Sequence, residues 1–229
     1  MCAYKFNLLV TIILIVPING VAGPIYGFGV YDSRGTGYAL HVERYTTDLK
    51  TEDRLTETRI SRLGLALHEA PYSWLHGGLF GGILSLTQSD NAATAGASLG
   101  GQYLGLWLGS DFFQRQHFRM QLRLDYSYNS ADDKDSSRHI RMNWHDVRAG
   151  LGAEFHFEPL TLGAGTYYQW IDGDETVSGD MSSTREFSQD GKGGSYLDIR
   201  LQVDQTGSIG IRVEEGGRRG YSLIFGRSF

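Results

Sequence analysis

In the run Trp-His-Asp-Val, His145 stands next to Asp146. A base beside a carboxylate is what a hydrolase uses to activate water or a hydroxyl. Ser61 or Ser85 with His68 or His76 would supply a nucleophile and its base. Two acidic stretches, residues 130–137 and 172–180, carry enough carboxylates to take up Ca²⁺ or Mg²⁺. Arg218 and Arg219 could hold phosphate groups, such as those of lipopolysaccharide. The largest set is a balanced one: Arg62, Arg119, Arg123, Arg148, Arg200 and Arg212 against Glu43, Asp125, Asp146, Glu154, Asp198 and Glu214.

Each small constellation has a plainer explanation. Neighbours on a strand face opposite ways, so His145 beside Asp146 reads as a rim histidine next to an interior carboxylate. No local His-x-Ser pattern occurs. The acidic stretches lack Ca²⁺-loop spacing and read as solvated loops, and Arg218 with Arg219 reads as a solubilising loop pair. The Gly-Gly-Leu-Phe-Gly-Gly run at 77–82 lacks the Lys and Ser/Thr of a phosphate loop. No catalytic residue, metal ligand or cofactor is therefore expected, and the protein is read as not an enzyme.

The elements that carry these residues alternate with period two. Phe118, Met120, Leu122, Leu124, Tyr126 and Tyr128 share one face, and Arg119, Gln121, Arg123, Asp125 and Ser127 the other. Leu197, Ile199, Leu201 and Val203 alternate with Asp198, Arg200, Gln202 and Asp204. Such runs predict strands over 38–47, 55–69, 73–88, 94–109, 117–129, 140–157, 160–172, 194–204, 208–215 and 220–229. The glycine-rich stretches 74–86 and 95–109 break parity, which points to a bulge or a kink. Across the hairpin at 205–207, Asp198 is expected near Arg212 and Arg200 near Glu214.

The chain has 229 residues, 31 glycines, 4 prolines and 28 aromatic residues, as expected of many short-turned strands. A net charge of −5 gives no basic surplus for nucleic acid. Mean hydropathy of −0.28 excludes a bundle of membrane helices but not a membrane barrel, whose strands are half apolar. Cys2 is the one cysteine, so no internal disulfide forms. Lys5, the apolar run 8–16 and small residues up to Ala22 predict a secretory signal peptide over residues 1–22. Residues 23–37 form a lead-in segment and 38–229 the folded unit.

Alternation alone does not say which face meets water. Three features favour lipid outside and charge inside. Several strands approach the ~9–11 residues that cross a bilayer. Arginine, suited to enclosed bidentate pairing, is the only cation of the balanced set, and lysine is absent from it. Trp74, Trp107, Trp144, Trp170, Tyr126, Tyr128, Tyr167 and Tyr168 fall near strand ends, as interfacial girdles would. The connectors alternate between short turns and long polar loops, the layout of a membrane barrel.

The ending then becomes legible. Tyr221, Leu223, Phe225 and the terminal Phe229 resemble the C-terminal signature of bacterial outer-membrane β-barrels, although Arg227 departs from it. With the signal peptide and strand layout, the resemblance covers nearly the whole chain; in size it is closest to small OmpA/OmpX-like and YfaZ-like barrels. It implies an all-β, closed antiparallel transmembrane barrel of about ten strands, with eight as the alternative, in up-and-down order. It implies a monomer in the outer membrane of a Gram-negative bacterium. Its partners would be membrane lipid and lipopolysaccharide, and the barrel assembly machinery reading Tyr221, Leu223, Phe225 and Phe229; nucleic acid would not be one. About eight strands make a filled barrel and 16–18 an open pore. The expected role is therefore structural or surface-interacting, with a charge-plugged lumen. A narrow porin-like channel for small solutes and an outer-membrane hydrolase, whether a protease or a lipid A-modifying enzyme, are the alternatives.

Overall fold

The computed structural model describes residues 26–27, 31–32, 36–51, 54–89, 91, 94, 97–134, 138–179 and 182–229. The expected signal peptide over 1–22 lies outside the described residues. Two short strands, β1 (Tyr26–Gly27) and β2 (Tyr31–Asp32), pair with each other. The main chain of strands is β3 (Thr36–Lys50), β4 (Leu55–Tyr72), β5 (Leu75–Gln88), β6 (Leu99–Arg115), β7 (Phe118–Lys134) and β8 (Arg138–Phe157). It continues through β9 (Leu160–Gly179), β10 (Ser183–Gln189), β11 (Gly193–Gln202), β12 (Gly207–Gly216) and β13 (Arg219–Ser228).

Consecutive strands pair antiparallel, and β13 returns to β3 over Arg219–Thr46 to Ser228–Gly37, which closes a ten-stranded ring. Closure satisfies the edge groups that lipid could not. The exception to simple meander order is β10. It pairs with the upper half of β9 and, at Ser188–Lys50 and Gln189–Leu49, with the end of β3. Strands β11, β12 and β13 stop below that level. The wall therefore has ten strands near the short turns and eight above, where β10 alone spans the gap between β9 and β3. Residues 183–189 belong to the stretch expected to be a long polar loop; they form this strand instead.

The polarity of the wall changes with height. In the lower part the outside is apolar, with Leu104 68%, Leu197 66%, Ile83 62% and Leu65 58% exposed. The inside there carries Arg119, Glu154, Asp198 and Arg200, each 5% exposed or less. In the upper part the order reverses. Leu49, Ile60, Leu84, Leu86, Leu99, Ile140, Met142, Trp144, Ile171 and Phe187 pack into an apolar core inside the eight-stranded ring. Arg59, Glu57 and Arg141 face outward at that level.

This reversal accounts for the broken parity of the glycine-rich stretches. Strand β5 keeps one register against β4 and β6 from Gly77 to Leu86. Leu79 and Ile83 point out, whereas Leu84 and Leu86 point in, because the medium on the outside has changed. The irregularities fall elsewhere, between Glu69 and Tyr72 and between Asp111 and Phe113, beside the short turns. The expected aromatic girdle also needs correction. Trp107, Trp144 and Tyr167 are interior residues, 3%, 2% and 5% exposed, while Trp74, Tyr126, Tyr128 and Tyr168 face outward.

Candidate functional site

The interior of the lower barrel is built in layers from glycines outward. Inward-facing glycines leave flat seats on the wall, and an aromatic side chain from a neighbouring position lies across four of them. A Cβ on Gly64 would strike Tyr103, on Gly165 Tyr196, on Gly194 Tyr167 and on Gly78 Trp107, while on Gly220 it would meet the Arg44 carbonyl and the Cβ of Tyr45. Each ring then offers its face to an arginine: Arg62 over Tyr103 at 4.9 Å, Arg218 over Tyr45 at 3.6 Å, Arg212 over Tyr196 at 4.6 Å, Arg148 over Tyr167 at 5.4 Å and Arg123 over Trp107 at 4.4 Å. Cation–π contact in a desolvated lumen holds each guanidinium in one orientation.

These arginines meet carboxylates in two networks. At mid-height Arg62 reaches Glu43 (3.9 Å) and Asp146 (3.6 Å). Arg218 reaches Glu43 (3.2 Å) and Glu214 (2.9 Å), and Arg148 reaches Glu214 (2.8 Å) and Asp125 (3.8 Å). Arg123 pairs with Asp125 at 2.6 Å. Asn129 and Gln169 satisfy Arg62 and Asp146 further, at 2.7 Å each. Near the short turns Arg119 bridges Asp111 and Glu154, Arg200 bridges Glu154 (3.6 Å) and Asp198 (3.2 Å), and Arg212 meets Asp198 (3.2 Å). Among the described residues the upper network pairs four arginines with four carboxylates and the lower three with three, so the paired charges balance in each.

All twelve residues of the balanced set thus face the lumen. Asp198 stands directly across from Arg212. Arg200 does not meet Glu214; Glu214 lies opposite Tyr196 and turns to Arg148 and Arg218. Two members escaped sequence reasoning. Asp111 follows the strand expected to end at 109, and Arg218 sits where a solvated loop was expected. That loop is tucked beneath β10: Thr47 Oγ1 and Gln189 Nε2 both donate to the Gly217 carbonyl at 2.9 Å. Tyr167 Oη donates to the Arg218 carbonyl at 2.9 Å, and the Arg218 side chain points into the barrel.

Among the mid-height charges is a cavity of about 80 Å³, lined by His41, Phe80, Tyr103, Ser127 and Ser222 among others. It has room for a handful of waters at about 10–15 Å³ each. Above it the core fills the eight-stranded ring, and a polar latch crosses its top. Asn91 donates to Gln88 (2.8 Å) and, from the opposite wall, to Glu175 (3.0 Å), while Thr94 donates to Gln88 (2.8 Å).

The small constellations are not assembled. His145 faces outward, its Nδ1 2.8 Å from Tyr126 Oη, and Asp146 faces inward. Ser61 and Ser85 lie on the outer face, His68 and His76 on the inner. The histidines instead pack against Trp107, each with ring centroids 5.5 Å away. Residues 172–179 are strand rather than loop, with Glu175 turned inward. Asp132 and Asp133 belong to β7, and Asp132 lies 3.3 Å from His139. No group of three or more His, Cys, Asp or Glu is placed for a metal ion among the described residues.

A closed antiparallel cylinder, apolar outside and charged inside over its lower part, defines a transmembrane β-barrel. Solved structures agree on the fold. The translocator domain of the autotransporter NalP from Neisseria meningitidis superposes with a TM-score of 0.51 at 10% identity, over 85% of this chain and 88% of that one. The outer membrane protease OmpT from Escherichia coli gives a TM-score of 0.51 at 9% identity, over 86% and 97%. No protein-family model matches the chain, and no curated protein sequence does.

Proposed function

We propose that this protein is a closed barrel of the bacterial outer membrane, with a structural or surface-interacting role rather than a conducting one. One observation carries the reading: charge-balanced ion-pair networks cross the lumen below, around a cavity of about 80 Å³, and an apolar core packs it above. An eight-stranded ring is just wide enough for side chains to fill, and the upper wall reaches that size because β11, β12 and β13 end below it and β10 alone takes their place. The short turns would face the periplasm and the tall, polar-coated upper wall the exterior.

Purified protein in a planar bilayer is expected to show no steady conductance at either polarity. A stable open level in the wild type would overturn the closed-lumen reading in favour of a channel. The same reading assigns no hydrolysis; peptide or lipid A acyl-ester cleavage that disappears in His145→Ala would contradict it. On β13, Tyr221, Leu223 and Phe225 face outward, and Phe229 lies against Tyr38 with centroids 5.7 Å apart. We assign these four residues as the surface read by the assembly machinery. Arg227 turns to the Thr206 hydroxyl at 3.2 Å, clear of that apolar row.

A further inference from the structure

We propose that the outer wall of β13, β3 and β4 binds the phosphate of a phosphorylated lipid through Arg44, Arg59 and Arg219, an inference that rests on the membrane-spanning reading above. Thr46 pairs with Arg219 on one side and Arg59 on the other. Arg44 lies two residues away on the same face of β3. Directly opposed Cβ atoms are about 4.5–5.5 Å apart and diagonal ones about 7–8 Å. Three guanidinium groups therefore converge within the reach of their side chains on one point beside Thr46. All three arginines are exposed.

The row sits where the wall changes character. Immediately below are outward Val42, Leu63 and Tyr221, 36%, 44% and 50% exposed. Acyl chains can lie on these while the headgroup meets the arginines, so the geometry favours a membrane lipid over a free anion. Arg44 and Arg59 take part in no ion pair among the described residues. Arg219 contacts Asp48 at 3.4 Å and Glu57 at 3.6 Å, in exposed ion pairs. Such pairs are weak and exchange readily for a bidentate phosphate. By contrast Arg141, an outward arginine of β8, stands opposite Asp132.

The test uses the full chain in phosphatidylcholine nanodiscs titrated with labelled lipopolysaccharide. The wild type is expected to bind it, with affinity at least tenfold lower for enzymatically dephosphorylated lipopolysaccharide. The variant Arg44→Gln/Arg59→Gln/Arg219→Gln should lose at least tenfold, and Arg141→Gln should be unchanged. Heat-modifiable electrophoretic mobility reports folding of each variant; should the triple variant not fold, Arg44→Gln and Arg59→Gln singly should each lose about threefold. Unchanged binding in the triple variant, or in both single variants, would overturn the proposal. So would an equal loss in Arg141→Gln, undiminished binding after dephosphorylation, or displacement by millimolar inorganic phosphate. Conductance tests the closed lumen separately, so failure of one leaves the other standing.

Discussion

At the scale of single residues, the lower lumen depends on what is missing from glycine. Gly64 leaves room for the Tyr103 ring, and Tyr103 in turn supports Arg62. A Cβ there collides with both the Tyr103 side chain and the Gly81 carbonyl. Overpacking of this kind costs about 1–3 kcal/mol, and Gly64→Ala is expected to lower stability by that amount in denaturant titration of the micelle-bound protein. The charges behave differently. Arg119 and Glu154 are 1% and 2% exposed. Arg119→Leu strands Glu154 without its closest partner and is expected to cost about 3–5 kcal/mol. Replacing both with leucine should cost clearly less, because no partnerless carboxylate remains from that pair. A double variant as unstable as the sum of its parts would mean that the pair is not energetically coupled. The rule that an aromatic next to an inward glycine lies flat was available from the sequence only as glycine-rich strands; which ring covers which glycine depends on register.

At the scale of elements, the turns set the register that the networks need. The turn between β11 and β12 is held by Asp204, whose carboxylate accepts from the Thr206 amide (2.8 Å), the Gly207 amide (2.6 Å) and the Thr206 hydroxyl (3.1 Å). Those backbone donors hold its carboxyl below the usual carboxylate range. A depressed folded pKa means that the stabilisation is present at neutral pH and is lost as pH falls through that value. Amide exchange at Gly207 is therefore expected to quicken on acidification, relative to intrinsic rates, and to lose this pH dependence in Asp204→Asn. Exchange with the same pH profile in both proteins would remove Asp204 as the titrating group. Strand β10 was illegible beforehand for a physical reason. It crosses the upper wall, where both faces of residues 183–186 meet solvent, so no alternation betrays it. Only Phe187 and Gln189, which turn inward, mark its lower end.

At the scale of the whole molecule, one cylinder passes through two media and reverses its polarity between them. Charged substitution separates the two regimes. Ile199→Arg, placed in the apolar band of β11, is expected to destabilise by roughly 2–4 kcal/mol in lipid. Thr87→Lys, outward on the upper wall of β5 opposite Arg59, should change stability by less than about 0.5 kcal/mol. Equal effects at the two positions would contradict the placement of the membrane. The reversal also explains why an interior that is half salt bridge and half hydrocarbon is stable: each half excludes the medium that its own outer face prefers.

The alternation of side chains along β3, β4, β7, β8, β11 and β12 by itself specified strands, their approximate ends and the common face on which the twelve charged residues lie, because a period of two is a local property of an extended backbone. That Leu197, Ile199 and Leu201 share the opposite face followed from the same arithmetic, and closure of the barrel turned that face outward. Tertiary structure alone decided the rest. That Trp107 and Trp144 point inward, that Arg218 dives under β10, and that Arg200 meets Glu154 instead of Glu214 are consequences of closure and shear. These bring together residues far apart in the chain, and no local pattern encodes which strand will stand opposite.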